Sequence, residues 1–312
     1  MSSDRTPAAR TPAWGIFREL EHSPGRETDD AMVLRAVAAR LEDEGFAVTL
    51  KTSEEVASGE SDPPPFLFVM CERPEILHTL ERWEERGTYV VNRPEAVRNT
   101  NRHRTAALFA RDAIPFPRSV LVSTAEREPI GPSGTTDLGG CWIKRGDAHK
   151  TQTSDVQRAG DSAAALDALR DLARRGIPRA LLQEHVPGDL VKFYGLGGGT
   201  ADPATGEPGW FEWFYHRDQA LSRHPFDGEA LAAIARRAAG ALGLEVWGGD
   251  AVVGPDGVPV LIDLNAWPSF ALYRDTAAPR IASWIASRFR QPASDRVRRT
   301  AERSPSSAAS EA

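Results

Sequence analysis

Gly248-Gly-Asp-Ala-Val-Val-Gly-Pro-Asp-Gly-Val-Pro-Val-Leu-Ile-Asp-Leu-Asn-Ala-Trp-Pro-Ser269 is the stretch on which the fold turns. Two apolar runs flank Gly254-Pro-Asp-Gly257, a sequence suited to a tight turn, and the spacing predicts a β-hairpin. If Val253 faces Val258, Asp250 faces Leu261 and stands one diagonal step from Asp263. Side chains two apart share a strand face, so Asp250, Asp263 and Asn265 are expected on one side of the hairpin, in a register that the turn length sets. Acidic groups are excluded from apolar strands unless something pairs them, and two carboxylates on one face repel unless a cation lies between them. Two Asp and one Asn are the hard oxygen donors that Mg²⁺ takes together with water and substrate phosphates. Two Asp alone would read as the solvated face of an edge hairpin; Asn265, the apolar neighbours and Trp267-Pro268 favour a metal site.

Working outward, the N-terminal third alternates strand and helix. A strand at Ala13–Phe17 leads to a helix over Asp29–Glu44, with Val33, Val37 and Leu41 on one face, and Gly45 stops it before a strand at Phe46–Leu50. A strand at Phe66–Met70, a helix opening near Pro74 and a strand at Thr88–Val91 follow, which predicts a small parallel sheet with flanking helices. A helical run from Asn99 to Asp112 is closed by Ile114-Pro-Phe-Pro117. Strands are then expected at Arg118–Val122, Gly140–Lys144 and Ala180–Val186, with an amphipathic helix at Ala163–Arg175. Strands Leu190–Leu196 and Trp210–Tyr215 flank a Gly/Pro/Asp-rich connection that reads as a long hairpin connection or a mobile flap, and helix Asp227–Leu242 leads into the hairpin. The predicted organisation is an α/β chain with α+β lobes: a disordered tail at 1–12, an N-terminal α/β lobe at 13–98, a small lobe at 99–186, a C-terminal lobe with the hairpin at 187–290, and a second disordered tail at 291–312.

The chain has 312 residues, enough for two or three lobes, and its 41% apolar and 26% charged content allows packed cores. A net charge of −6 argues against general nucleic-acid binding. Two cysteines, both within apolar runs, support neither a disulfide framework nor a thiolate zinc site. No apolar run is long enough to cross a membrane and the N-terminus lacks an h-region, so a cytoplasmic protein is expected.

The run Gly-Gly-Asp250…Ile-Asp263-Leu-Asn265-Ala-Trp-Pro268 resembles the metal-binding hairpin of ATP-grasp enzymes. The resemblance covers roughly residues 92–288 and implies the ATP-grasp fold preceded by an N-terminal α/β lobe, with ATP and Mg²⁺ (or Mn²⁺) as cofactors and Asp250, Asp263 and Asn265 as metal ligands. Ala180-Leu-Leu-Gln-Glu-His-Val-Pro-Gly-Asp189 resembles the hinge between the two ATP-grasp lobes, which implies that Gln183, Glu184, His185 and Val186 meet adenine and that Asp189 or Glu184 holds ribose. Lys144 matches the family lysine that touches the ATP phosphates; Lys192 is a second cation facing the cleft, and Arg217 is a further candidate. Arg102 stands where many members carry a phosphate-binding lysine, a role that guanidinium also fills. The loop Arg145–Thr153 lacks the glycines of many phosphate-covering loops, and His149 and Lys150 are candidates to replace that cradle with side chains.

The superfamily transfers the γ-phosphoryl group of ATP to an oxygen nucleophile. The first reading is an ADP-forming ligase that phosphorylates a carboxylate and condenses it with an amine, acting on a small-molecule or peptide substrate. The alternative is a small-molecule kinase, since Asp263, Ile262-Asp-Leu-Asn-Ala-Trp-Pro268 and Lys192-Phe-Tyr-Gly195 resemble the inositol phosphate kinases. A second alternative is a nucleotide-binding protein without catalysis.

Overall fold

The computed structural model describes residues 9–58, 62–148, 151–199, 201, 205–206 and 208–291. His149 and Lys150, and the expected tails except Ala9–Pro12 and Gln291, lie outside the described residues. The first part of the chain contains β1 (Thr11–Ile16), α1 (Glu27–Asp43), β2 (Phe46–Lys51), α2 (Ser53–Ala57), β3 (Phe66–Val69), α3 (Pro74–Glu85), β4 (Tyr89–Val91), α4 (Pro94–Asn99) and α5 (Arg102–Arg111). All pairings in its sheet, order β2-β1-β3-β4, are parallel, as the alternation of strand and helix requires. β1 begins at Thr11, inside the segment expected to be a tail, because the backbone of Thr11 and Pro12 lies beside Phe46 and Ala47 of β2.

The second part contains β5 (Ser119–Ser123), β6 (Trp142–Arg145), β7 (Val156–Arg158), α6 (Ser162–Arg174) and β8 (Arg179–Gln183). Its strands are antiparallel in the order β5-β8-β6-β7, and α6 starts where the Asp161 carboxylate accepts the Ala164 N–H. The strand expected to reach Val186 stops at Gln183, which leaves Glu184–Gly188 as the connection to the next sheet.

The third part contains β9 (Asp189–Leu196), β10 (Phe211–Tyr215), α7 (Gly228–Leu242), β11 (Val246–Val253), β12 (Pro259–Ala266) and α8 (Arg274–Arg290). Its antiparallel sheet runs β10-β9-β11-β12. The connection expected to be a long hairpin loop or a flap joins the antiparallel pair β9 and β10, and within it Ala201 bridges to Pro208. Helix α8 is absent from the sequence reading; Pro279 inside it and its mixed polarity obscure the pattern, yet it packs along α1.

Apolar packing joins the first and third parts. One core combines Leu67, Val69 and Leu80 with Phe193, Leu231 and Trp247; another combines Val37, Phe66 and Phe68 with Val246, Trp267, Ile281 and Ile285. The second part has a core of its own, built from Val122, Ile143, Leu169 and Leu182. The joint between the first and third parts also has a polar element at fully buried Asn92, which donates from Nδ2 to the Val246 carbonyl at 2.7 Å and accepts the Glu245 and Val246 N–H groups at 2.8 and 2.9 Å. Asn92→Ala strands those backbone groups and is expected to lower the unfolding free energy by ~2–4 kcal/mol, read from denaturant midpoints. An unchanged midpoint would show that the joint does not depend on this amide.

Candidate functional site

The hairpin forms, with a different register from the expected one. Val253 pairs with Pro259 and Ala251 with Leu261, but Asp250 pairs with Asp263 and Gly248 with Asn265. The register shifts between Asp250 and Ala251, so Ile262 is an extra residue in β12, a β-bulge. Its cause is legible in burial: Leu261 and Leu264 are both fully buried although three residues apart, an odd spacing that a regular strand cannot place on one face. The bulge lets both leucines enter the core and turns Asp263 and Asn265 to the open face, directly across from Asp250 and Gly248. A side chain at Gly248 would collide there, since a Cβ would stand 2.8 Å from the Phe193 carbonyl oxygen and 2.7 Å from the Pro268 ring.

One row crosses the whole sheet through Phe214, Lys192, Asp250 and Asp263. Lys192 Nζ lies 2.6 Å from Asp250 Oδ1, and Arg102 Nη2 lies 3.3 Å from Asp263 Oδ2. Lys144, on β6, reaches across from the second part to the bulge and donates to the Ile262 carbonyl at 3.1 Å. Burial pushes the Lys144 ammonium down to about 8; Asp263 pulls it back up and Arg102 adds to the depression. Arg102 is buried at the start of α5, where Nη1 donates to the carbonyls of Arg145 and Ala148 at 3.3 and 3.0 Å. Arg102 Nε is buried without a hydrogen-bond partner among the described residues. Three cations therefore meet two carboxylates where the second and third sheets face each other.

The donor chemistry fits a magnesium ion: two facing carboxylates and an amide, all oxygen donors, on one face of one hairpin. Among the described residues no three His, Cys, Asp or Glu side chains gather as a metal site, so the Asn265 amide is needed to complete the set. The strand end is held from the first part. Arg18 Nη2 donates to the carbonyls of Ala266 and Trp267 at 3.1 and 2.6 Å, while the indole of fully buried Trp267 donates to the Val91 carbonyl at 3.2 Å.

At the connection after β8, the backbone N–H and C=O groups of His185 and Val186 make no hydrogen bonds among the described residues, whereas the Glu184 N–H donates to the Arg118 carbonyl. Backbone polar groups without a partner in the fold are open to solvent or to a ligand. The Trp142 indole donates to His185 Nδ1 at 3.2 Å; burial, then Arg158, holds the His185 imidazole below its usual range. Gln183 is buried and donates from Nε2 to Ser119 Oγ at 3.3 Å.

The two candidate ribose acids are engaged elsewhere. Asp189 is 1% exposed, and its oxygens accept the Ser222 and His224 N–H groups at 2.7 and 3.0 Å. Burial alone would raise the Asp189 carboxyl, but these backbone donors bring it below its usual value. Asp189 thus braces the loop after β10, a use of its charge that the sequence does not reveal. The Glu184 carboxylate takes a bidentate pair from Arg118 at 2.8 and 3.0 Å, which lowers its pKa.

A cavity of about 360 Å³ opens beside Asp250 and Asn265 and is lined also by Lys192 and Arg217. Arg26, Tyr194, Phe214 and His216 line it too, and sequence reasoning missed them. Tyr194 could have been found from its period-two spacing with Lys192; Arg26 arrives from the first part of the chain and carries no local signal.

No protein-family model matches the chain, and no curated protein matches it in sequence. Its structure is similar to the D-alanine–D-alanine ligase from Bacillus anthracis complexed with ATP, with a TM-score of 0.67 at 12% identity over 94% of this chain and 99% of that one. The ligase of the same name from Coxiella burnetii gives 0.66 at 11% identity, over 95% and 97%. The ATP-grasp ligase PsnB, solved with precursor peptide PsnA2 and AMPPNP, gives 0.58 at 18% identity, over 91% and 99%. At such identities the likeness is one of fold, and with the hairpin, the connection after β8 and the facing sheets already described, it leads to one assignment: the chain has the ATP-grasp fold.

Proposed function

We propose that this chain is an ATP-dependent, ADP-forming ligase of the ATP-grasp type, which phosphorylates a substrate carboxylate with MgATP and lets an amine capture the acyl phosphate. The observation that carries the reading is the cluster of Arg102, Lys144 and Lys192 around Asp250 and Asp263, with Asn265 on the same face. Likeness in fold to ligases, one of them solved with ATP, supports it. In this reading the lobes run over 13–98, 99–186 and 187–290.

Each residue has a task in that chemistry. Adenine lies against the open backbone of His185 and Val186, beside Trp142 and Gln183. Lys144 and Arg102 bind phosphate oxygens, which suits two buried cations whose present partners are carbonyls and one carboxylate. Asp250, Asp263 and Asn265 would hold Mg²⁺, which supplies charge neutralisation on the transferring phosphoryl group. For that, Lys192 and Arg102 exchange carboxylate oxygens for phosphate oxygens, and Lys192 then faces the acceptor from the cavity side. Arg217, exposed on the cavity rim, orients substrate in this arrangement. No covalent enzyme nucleophile is required.

Asp250→Asn and Asp263→Asn are each expected to abolish turnover with far-UV circular dichroism unchanged, because neither side chain packs in a core. Near-wild-type turnover of both variants at limiting Mg²⁺ would remove the hairpin from the active site. Lys144→Ala removes one charge-assisted contact worth ~1.5–3 kcal/mol, so nucleotide affinity should fall roughly ten- to a hundredfold. Lys144 is charged below about 8 and neutral above it. Wild-type nucleotide affinity should therefore weaken from about pH 7 to about pH 9, while Lys144→Arg, which stays charged, should flatten that profile.

The reaction class is tested with hydroxylamine. A carboxylate acceptor supplied without amine should form ADP and a hydroxamate, since hydroxylamine traps an acyl phosphate. ADP with a hydroxylamine-stable phosphorylated product and no released phosphate would replace the ligase with the kinase. AMP would exclude both.

A further inference from the structure

The cavity beside Asp250 and Asn265 is lined by charged, aromatic and apolar side chains beyond those assigned to phosphoryl transfer. Its lining includes two arginines from distant parts of the sequence, Arg26 just before α1 and Arg217 after β10. Arg217 has no hydrogen bond or ion pair among the described residues. Arg26 pairs with Asp29 at 3.2 Å, but Asp29 is shared with Arg274 at 2.7 Å, so one carboxylate serves two arginines. Within the cavity Lys192 and Asp250 neutralise each other, and Asp218 is the remaining carboxylate against Arg26 and Arg217. The rim thus has one positive charge in excess before His216 is considered.

Part of the lining is aromatic or apolar. Tyr194 packs on Phe270 with ring centroids 4.8 Å apart and on Phe214 at 5.3 Å, which fixes an aromatic surface facing the cavity. Leu272 lines the same space and is 46% exposed, an apolar side chain that a ligand would cover. The Tyr194 hydroxyl has no hydrogen-bond partner among the described residues. At about 360 Å³ the cavity is at the lower end of small-molecule sites, which begin near ~300 Å³.

Resting on the ligase reading above, we propose that the acceptor is a small amphiphilic diacid. Its apolar or aromatic body lies against Tyr194, Phe214 and Leu272; one carboxylate reaches the phosphoryl-transfer centre, and a second anionic group, carboxylate or phosphate, is held between Arg26 and Arg217. Arg26 comes from the first part of the chain, so substrate binding joins that part to the third sheet. Lys192 stands beside Asp250 and, in the ligase reading, exchanges it for phosphate oxygens, so the second anionic group is left to Arg26 and Arg217.

The test is isothermal titration of the full chain with Mg²⁺ and AMPPNP present, using three probes of similar bulk: N-benzoylglutamate, N-benzoylglutamine and N-benzoyl-O-phosphoserine. N-benzoylglutamate is expected to bind at least about tenfold more tightly than N-benzoylglutamine, which differs by one charge, as one charge-assisted contact implies. That ratio should fall towards one in Arg217→Gln and in the Arg26→Gln/Arg217→Gln double variant. Tighter binding of the phosphoserine probe than of N-benzoylglutamate assigns the second group as phosphate, and weaker binding assigns it as carboxylate. Equal affinity for the diacid and the monoacid, a ratio that survives in the double variant, or no binding of any probe overturns the proposal. AMPPNP binding without diacid preference removes this inference alone, whereas failure of AMPPNP to bind the wild-type chain removes the ligase reading and this inference with it.

Discussion

A strand with one face in a core and the other in a cleft can change which side its residues face only by adding or losing a residue. In β12 the added residue is Ile262. Leu261 and Leu264 both reach the core because of it, Asp263 and Asn265 both reach the cleft, and Asp263 comes directly opposite Asp250. Without the bulge, Asp263 would follow Leu261 onto the core face and bury an unpaired carboxylate, a cost that apolar packing around it cannot repay. The Ile262 carbonyl is also where Lys144 of the second sheet makes contact. The acidic pair, the cross-strand row and the contact from the second sheet all follow from this irregularity.

The way the three sheets pack explains how the cleft can be polar and still be held. The first and third sheets share continuous apolar cores, reinforced by buried Asn92 and by Arg18 gripping the end of β12. The second sheet packs on its own core. Across the cleft from Asp263 and Ile262 its contributions are Lys144, on β6, and Arg102, which leads into it. Contacts made through cations and carbonyls can be exchanged for contacts to an anionic ligand at small net cost, whereas apolar contacts would have to be broken outright. Holding a lysine there disfavours its charge, and burial accordingly depresses the Lys144 pKa, a penalty that phosphate oxygens would relieve.

Much of the fold was legible in the sequence because its periodicities are local. The alternation of apolar strand and amphipathic helix before residue 92 predicted the first sheet, and Gly254-Pro-Asp-Gly257 predicted the hairpin turn. Element ends were less legible. β1 starts at Thr11 because its neighbour in the sheet runs that far, and β8 stops at Gln183 although Glu184, His185 and Val186 continue an acceptable strand pattern. Helix α8 went unread because its buried face is defined by α1, more than two hundred residues earlier in the chain, rather than by a clean repeat of its own.

The sequence by itself brought forward Asp250, Asp263 and Asn265 as candidate oxygen donors through their types and spacing, and, through its family resemblance, the candidates Lys144, Lys192 and Arg102 and the class of fold. Tertiary structure alone decided which of these charges meet. It pairs Lys192 with Asp250 and Arg102 with Asp263, commits Asp189 to two backbone N–H groups and Glu184 to Arg118, and carries Arg26 to the cavity rim. The physical reason is that a carboxylate's partner depends on distance and on competing donors in three dimensions, neither of which is encoded in local order. Even the hairpin's register was set by the need of Leu261 and Leu264 for a common core, a demand imposed by the sheet and helices around them.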